Sequence, residues 1–229
     1  MKVFAISDLH LSHAAEKPMD IFGDGWIDHF DKVSADWRAR VGEDDLVLLG
    51  GDISWGMYIE DAAPDYAAIA ALPGKKIVGK GNHDLYWTAI SKMRAAFPEF
   101  CFVQNDCVRC GGYLVAGTRG WTMPCDAADE HDAKVYAREL IRLELSLTAA
   151  ERMRTEGDKV IAMLHYPPFD AKYNDSEVTA LIEKYRVDAV TYGHLHGKSV
   201  RATPKVEKRG IPYYLTSCDL VNNALVEIF

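Results

Sequence analysis

The sequence has no long apolar run. Nowhere do the roughly 18 consecutive apolar residues of a membrane-spanning helix occur. The N-terminal segment MKVFAIS also reaches Asp8 before an apolar stretch of signal-peptide length develops. These absences argue against a membrane span and a secretory signal. We therefore expect a soluble, cytoplasmic protein with no membrane partner.

The chain also lacks an excess of positive charge. Its 229 residues include 26 Lys and Arg against 34 Asp and Glu, which gives a net charge of −8. A protein that holds long nucleic acid through its phosphates needs a basic surface, so we expect no such partner. A small phosphorylated ligand remains compatible because local charge can oppose the global balance.

Cysteines are few and follow no framework spacing. The five residues are Cys101, Cys107, Cys110, Cys125 and Cys218. An odd number without regular spacing favours free thiols in a reducing compartment. Cys107 and Cys110 form a CxxC pair, but no second pair completes a four-thiolate zinc site. Ordinary small hydrophobic residues on a strand are the favoured interpretation, and a structural metal or redox role is the alternative.

Internal repeats, low-complexity tracts and linkers are absent as well. With 48% hydrophobic residues the chain can bury a substantial core, and we predict a single domain over residues 1–229. The irregular segment 119–132 contains Trp121, Pro124 and several acids. Together with a long helix predicted within 133–155, it suggests a lid or insertion at about 119–156.

Short apolar runs alternate with amphipathic stretches, which is typical of an α/β chain. The predicted strands are residues 2–7, 46–49, 76–79, 101–108, 113–117, 160–164, 189–191, 213–216 and 224–228. Helices are predicted at residues 27–41, 60–72, 88–97 and 176–185. The locally basic stretch 198–209 is predicted to form a hairpin or two short strands.

Five clusters of metal-binding residue types follow predicted strands. They are Asp8-Leu9-His10, Gly50-Gly51-Asp52, Gly81-Asn82-His83-Asp84, His165, and Gly193-His194-Leu195-His196. In an α/β sheet the ligand crevice lies beyond the carboxyl ends of the strands. In one isolated Asp-x-His, the Asp can cap a turn and the His can be an ordinary hydrogen-bonding residue. Such a structural explanation would have to hold separately for each of the five clusters. The histidines outside the clusters, His13, His29 and His131, are expected to be structural or solvated.

In this order the clusters resemble the D-x-H, G-D, G-N-H-D/E, H and G-H-x-H motifs of the calcineurin-like metallophosphoesterase superfamily. The resemblance covers residues 8–196 and implies an α/β fold: a two-layer β sandwich flanked by helices (αββα). The forms SDLHL, GNHD and HYPP are similar to the bacterial phosphoesterases of the group. The second motif, GDISWG, is unlike the GDYVDRG form of phosphoprotein phosphatases, which argues against protein phosphatase activity.

The resemblance also implies a dinuclear metal site with seven ligands. The first metal would be bound by Asp8, His10 and His196, the second by Asn82, His165 and His194, and both by Asp52 through its two oxygens. Imidazole nitrogens suit Mn²⁺, Fe, Zn²⁺ or Ni²⁺ better than Mg²⁺. We therefore expect two divalent transition-metal ions, with manganese the first choice.

The expected reaction is phosphoester hydrolysis. Two divalent ions, two carboxylates and a bridging hydroxide leave a formal charge of about +1, which attracts an anion. Ions about 3.5–4 Å apart can bind two phosphoryl oxygens and activate the hydroxide for in-line attack. His83 is expected to assist the leaving oxygen. Asp84 is expected to orient His83 and favour its charged form, or to cap the helix that follows.

The favoured function is thus a metal-dependent hydrolase acting on a small phosphodiester or phosphomonoester, as a phosphodiesterase or phosphatase. The alternatives are a non-catalytic scaffold of the same fold and a nuclease, against which the acidic balance counts. All seven ligand positions and His83 hold competent residue types, which favours an enzyme. Arg119 and Trp121 could contact a phosphate and a ring or lid, or could simply pack. Asp219 is assigned no role.

Overall fold

The computed structural model describes residues 1–124, 130–197 and 199–229. Its strands are β1 Val3–Ile6, β2 Leu46–Leu49, β3 Lys75–Val78, β4 Cys101–Phe102, β5 Cys107–Cys110, β6 Tyr113–Thr118, β7 Lys159–Leu164, β8 Ala189–Tyr192, β9 Lys205–Lys208, β10 Ile211–Leu215 and β11 Val226–Glu227. The α-helices are α1 His29–Arg40, α2 Ile59–Ala70, α3 Ile90–Ala96, α4 Glu130–Met153 and α5 Glu177–Lys184. Within these described residues, no helix is both long and apolar enough to cross a bilayer.

The strands form two sheets. The first has the order β11-β1-β2-β3-β4, and the second has the order β5-β6-β7-β8-β10-β9. Strands β1 to β4 are parallel and β11 is antiparallel to β1. In the second sheet β6, β7, β8 and β10 are parallel, and antiparallel β5 and β9 form the edges. Parallel strands place their carboxyl ends at one edge, so each sheet offers a single edge for polar side chains.

The sheets pack face to face with helices outside. Leu46 and Leu48 of the first sheet share a buried cluster with Val115, Ile161 and Met163 of the second. Successive side chains on β1 and β2 point to opposite faces of the sheet. Those on the outer face, such as Phe4 and Val47, lie in a different buried cluster with residues of α1 and α2. The outer face of the second sheet packs under α4 and α5. The predicted two-layer sandwich flanked by helices is confirmed.

One predicted strand is wrong. Residues 101–108 were expected to form a single strand, but β4 pairs with β3 in the first sheet whereas β5 pairs with β6 in the second. Between them the chain crosses from one sheet to the other, and Asn105 adopts a left-handed backbone with φ 62°. An apolar run cannot reveal which sheet each half joins, because pairing depends on distant strands.

The remaining predicted elements are present with small shifts at their ends. Helix α3 begins at Ile90 after Ala89, so Asp84 is not its N-cap residue. The basic stretch 198–209 contains one strand, β9, rather than a complete hairpin; β9 pairs with β10, which lies beyond the stretch, and Lys198 lies outside the described residues. Helix α4 packs against β6 with Leu143 and Leu147 buried. Residues 125–129, including Cys125, lie outside the description, and the lid at 119–156 stays a prediction.

Candidate metal centre

The ligand-bearing edges of the two sheets meet at one end of the sandwich. Ser7, just after β1, forms an isolated parallel bridge with Ser217, after β10. The amide of Asp8 donates to the carbonyl of Gly51, and the amide of Gly193 donates to the carbonyl of His165. These bonds tie strand ends within and between the sheets, so residues far apart in the chain face a common centre.

Four predicted ligands have a left-handed backbone. They are Asp8 with φ 60°, His10 with φ 46°, Asp52 with φ 53° and His194 with φ 69°. Such a conformation costs a non-glycine residue on the order of 1–3 kcal/mol and clusters at functional sites. Here all four residues lie just beyond strand ends, at the edge where the donor atoms meet.

One group of donor atoms comes from both sheets. His196 Nε2 lies 3.1 Å from Asp8 Oδ1 and 3.3 Å from His10 Nε2. Asp8 and His10 are buried, and His196 is partly exposed. The three donor atoms lie close enough together to ligate one ion.

A second group surrounds the amide oxygen of Asn82. Asn82 Oδ1 lies 2.8 Å from His165 Nε2 and 2.9 Å from His194 Nδ1. His165 is fully buried, whereas Asn82 and His194 are partly exposed. The grouping matches the second set of ligands expected from the sequence.

Asp52 lies between the two groups. Its Oδ2 is 3.8 Å from His10 Nε2 and 3.3 Å from His165 Nε2. Its Oδ1 accepts a hydrogen bond of 2.7 Å from the amide of His83. The expectation that Asp52 bridges two ions with its two oxygens stays a prediction: Oδ1 accepts from the His83 amide, and Oδ2 lies within 4 Å of an imidazole nitrogen from each group.

Hydrogen bonds on the far sides of two imidazoles fix where their lone pairs point. His165 Nδ1 donates to the carbonyl of Gly50 at 3.0 Å, and His196 Nδ1 donates to Asp219 Oδ1 at 2.9 Å. A neutral ring protonated at Nδ1 carries its lone pair at Nε2. Both Nε2 atoms then face carboxylate or amide oxygens, which is favourable when a metal ion lies between them or when the ring carries a second proton. The donor set therefore fits bound metal ions.

The pKa values of His165 and His196 agree with their position beside negatively charged carboxylates. Burial alone lowers the pKa of His165, but the charge and hydrogen bond of Asp52 raise it to about 9. Burial also lowers the pKa of His196, but hydrogen bonds with Asp219 and Asp8 raise it to about 10. Without metal, protons are therefore held where ions would bind, and metal binding would release them.

His10 is the buried ring of the first group. Burial lowers its pKa to about 4, which favours the neutral form that ligates metals. Its ring stacks on Trp55 at 4.8 Å and meets the edge of Trp26 at 5.9 Å. Among the described residues its Nδ1 finds no hydrogen-bond partner, so aromatic packing alone orients the ring.

His83 stands at the mouth of the centre. Its ring is 4.6 Å from that of Trp55 and 5.4 Å from that of His10, measured between ring centroids. The side chain is partly exposed. Its backbone is fixed by Asp52, while no hydrogen bond to a described residue occupies its ring. The ring is thus available to a ligand.

Asp84 does not orient His83, which corrects the sequence-based expectation. Its buried carboxylate accepts from the amides of Gly81 (2.7 Å), Asp52 (2.9 Å) and Ile53 (2.8 Å), and from the Tyr86 hydroxyl (2.8 Å). Burial, followed by the charge of Asp52, raises the pKa of Asp84. Asp84 therefore joins the GNHD turn to the loop after β2 and acts through the backbone.

Sequence reasoning missed several supporting residues. Asp219 holds His196 and also accepts from the amide of Gly197 at 2.9 Å. Ser7 and Ser217 donate their hydroxyl groups to Asp8 Oδ2 at 2.5 and 2.9 Å. Their positions after strand ends were the available signal, but Ser217 and Asp219 have partners that are distant in the chain.

The surroundings of the second group form an open pocket. It has a volume of about 370 Å³ and is lined by His194, Tyr166, Phe169 and Met123, among others. The rings of Tyr166 and His194 are 4.0 Å apart. Most of the wall is apolar, so the pocket suits a ligand that combines an anion with a less polar part.

Two histidines outside the clusters have structural partners. His29 Nε2 lies 2.7 Å from the carbonyl of Leu9, and its Nδ1 lies 3.1 Å from the carbonyl of Trp26. His13 Nδ1 lies 2.5 Å from Asp65 Oδ1. Both positions agree with the expectation that they are not ligands.

Several solved structures share this fold at low sequence identity. The protein TT1561 of Thermus thermophilus is 16% identical with a TM-score of 0.60, covering 99% of this chain and 97% of that one. Phosphopantetheinyl hydrolase (PptH) from Mycobacterium tuberculosis is 14% identical with a TM-score of 0.57, covering 100% and 95%. The protein of unknown function AQ665 from Aquifex aeolicus is 13% identical with a TM-score of 0.51, covering 99% and 95%. At these identities the likeness establishes the fold alone.

Comparison by sequence gives the family. No curated protein matches the chain significantly. The profile of the family described as calcineurin-like phosphoesterase matches residues 1–198, most of the chain. With the Asp and His cluster, this match supports a metal-dependent hydrolase of phosphoesters in general terms. The chain belongs to the calcineurin-like phosphoesterase family.

Proposed function

We propose that the protein is a dinuclear-metal phosphoesterase that hydrolyses a small phosphodiester or phosphomonoester. The observation that carries this proposal is the position of Asp52 Oδ2, within 4 Å of an imidazole nitrogen from each donor group. A single oxygen placed between two sets of lone pairs suits a carboxylate bridge between two cations. Four imidazoles in the donor set favour transition-metal ions over Mg²⁺. Manganese is the first candidate, with iron, zinc or nickel as alternatives.

The residues around the centre have different roles in the proposed reaction. Two divalent cations, when bound, polarise a phosphoryl group and lower the pKa of water. Asp52 and Asp8 supply negative charge at fixed positions because their second oxygens are held by hydrogen bonds. The partly exposed ring of His83 reaches outward from the GNHD turn and is proposed to donate a proton to the leaving oxygen.

Asp84 has a positioning role in this proposal. It clamps the backbone on either side of the site through the amides of Gly81 and Ile53. Gly81 has no room for a side chain, since a Cβ there would lie 2.0 Å from Asp52 Oδ1. The close approach of the two loops therefore places Asn82 and Asp52 at a fixed separation.

A small substrate is favoured over a polymer. The pocket beside His194 has the volume of a small-molecule site. A net charge of −8 opposes a nuclease that binds long nucleic acid. The complete donor set and the free ring of His83 favour an enzyme over a scaffold. One structural neighbour is named a phosphopantetheinyl hydrolase, which is compatible with this reaction class.

The test is activity after controlled metal loading. Purified protein, stripped and reloaded with Mn²⁺, Zn²⁺, Ni²⁺ or Mg²⁺, is assayed on bis-p-nitrophenyl phosphate, p-nitrophenyl phosphate and cyclic nucleotides. We expect hydrolysis that depends on a transition metal, and the preferred ester separates diesterase from monoesterase. Asp52→Asn should impair occupancy of both sites and serves as the matched control. A folded protein that binds two ions but turns over none of these esters would favour the scaffold.

A further inference from the structure

A polar cavity, distinct from the apolar pocket beside His194, lies next to the metal centre. It has a volume of about 220 Å³ and contains none of the seven predicted ligands. Its wall includes Lys80, Gln104, Asn105, Arg119, Glu139 and Arg142. A cavity needs only about 10–15 Å³ of such volume to hold one water, so this one has room for a polyatomic ion.

The cavity is positioned by residues that also fix the metal centre. Lys80 directly precedes the Gly81-Asn82 turn. The carbonyl of Arg119 accepts from the amides of His165 and Tyr166 at 3.1 and 2.9 Å. The cavity and the centre thus share a wall of backbone.

The wall carries more positive than negative charge. Lys80, Arg119 and Arg142 face a single carboxylate, Glu139, which leaves a formal charge of +2. Glu139 is already occupied: Oε1 accepts from Arg142 at 2.6 Å, and Oε2 accepts from the Thr118 hydroxyl at 2.5 Å. Arg142 and Glu139 therefore neutralise each other.

The other two cations have no carboxylate partner among the described residues. Lys80 Nζ donates to the carbonyl of Trp87 at 2.5 Å. The Arg119 guanidinium lies 4.6 Å from the centroid of the Trp121 ring. Its N–H groups make no hydrogen bond to a side chain or carbonyl of the described residues. Two partly buried cations that no described carboxylate contacts carry a desolvation cost that a bound anion would reduce.

The neutral part of the wall is also ready to bind a polar group. Asn105 Oδ1 is buried without a hydrogen-bond partner among the described residues. The oxygen and nitrogen of an amide can exchange places by rotation, so Asn105 can present N–H groups instead. Arg119 offers a planar set of donors that matches two oxygens of one oxyanion.

We propose that this cavity binds one oxyanion, a phosphate or carboxylate group, through Arg119 and Lys80. The anion is either a free ion or a second charged group of a substrate whose ester lies at the metals. Binding of a free ion does not depend on the proposed function, whereas binding of a second charged group of the substrate rests on it.

The first experiment uses metal-free protein, so that metal ions cannot bind the probe. Inorganic phosphate is titrated calorimetrically into the wild type, Arg119→Gln and Lys80→Gln. Each substitution is expected to weaken binding by about tenfold or more, because a charge-assisted hydrogen bond is lost. Arg138→Gln, at an exposed position on the same α4 helix as Arg142, should bind like the wild type. If Arg119→Gln fails to fold, Lys80→Gln decides.

The second experiment uses the metal-loaded enzyme and compares a nucleoside 3′,5′-bisphosphate with the corresponding monophosphate. A lower KM for the bisphosphate that disappears in Arg119→Gln assigns the anion to the substrate. Phosphate binding without this preference assigns it to a free ion. The inference would be overturned if phosphate did not bind and if the ratio of the two substrates' KM values were the same in the wild type and in Arg119→Gln. If the metal-loaded enzyme is inactive, the proposed function fails, but the calorimetric titration still tests whether the cavity binds an anion. The two failures are therefore distinguishable.

Discussion

His83 is the residue that most directly connects the geometry of the site to chemistry. Its amide is anchored to Asp52, its ring lies against Trp55, and its ring nitrogens are open to a ligand. Among the described residues, His83 belongs to neither cluster of Asp and His donor atoms that could hold an ion. Changes at this position should therefore separate catalysis from metal binding.

We expect His83→Ala to keep both metals and to lose turnover on diesters by about 10²–10⁴-fold, because it removes a proton donor. The loss should be larger for an alkyl diester than for a nitrophenyl diester, since alkoxide is the poorer leaving group. Metal content by mass spectrometry and kcat on both esters check this. Full activity, or loss of metal, would contradict the assignment.

Asp219 acts on the site through one ring. It accepts from His196 Nδ1 and keeps the lone pair of Nε2 directed at Asp8. We expect Asp219→Asn to weaken metal binding in that group by about 10–100-fold, with the group around Asn82 less affected. Competition with a chelator measures the two affinities. The exposed Asp31→Asn is the control, and equal loss in both variants would contradict this role.

At the scale of elements, the β9–β10 hairpin is tied to the start of α5 by charge. Asp175 lies 2.7 Å from Arg209 and 2.7 Å from Lys208. Hydrogen bonds from Arg209 and then Lys208 lower the pKa of Asp175 to about 2, from an ordinary value of 3.8. A carboxyl group with a lowered folded-state pKa stabilises the fold above its unfolded pKa and loses that contribution as pH falls.

We therefore expect Asp175→Asn to lower Tm slightly at neutral pH, because exposed ion pairs contribute little. The difference from wild type should be fully present above pH 3.8 and shrink as pH falls toward 2. Calorimetric scans over this range, repeated at high salt, measure it. A difference that does not change with pH would show that the ion pairs are not its source.

At the scale of the whole molecule, the site depends on the sandwich. The first sheet carries Asp8, His10, Asp52 and Asn82 at its edge. The second sheet carries His165, His194 and His196. Neither sheet holds a complete donor group alone. Anything that separates the sheets should therefore abolish metal binding.

Leu48 tests the shared face because it is fully buried between the sheets. We expect Leu48→Ala to lower the free energy of unfolding by about 2–5 kcal/mol, through lost burial and a cavity. Urea unfolding followed by circular dichroism and tryptophan fluorescence should show one shared transition. Leu145→Ala, at a position 57% exposed on α4, should change little. Two separate transitions would contradict a common core.

Much of the organisation was predictable because it is local. The apolar run of β2 is bounded by polar residues and glycines, and the structure places the strand at Leu46–Leu49 as predicted. The five polar clusters each follow such a run, so their position at strand ends was readable from the order of residues. Their convergence was expected from the edge geometry of α/β sheets and from the family resemblance.

The tertiary structure alone decided the finer arrangement. It divided residues 101–108 between two sheets, gave Asp84 four partners other than His83, brought Asp219 to His196, and set Lys80 and Arg119 around one cavity. The sequence by itself determined which residue types stand at each strand end. Which atoms meet depends on strand pairing and on packing between residues that are distant in the chain, and no local pattern encodes those contacts.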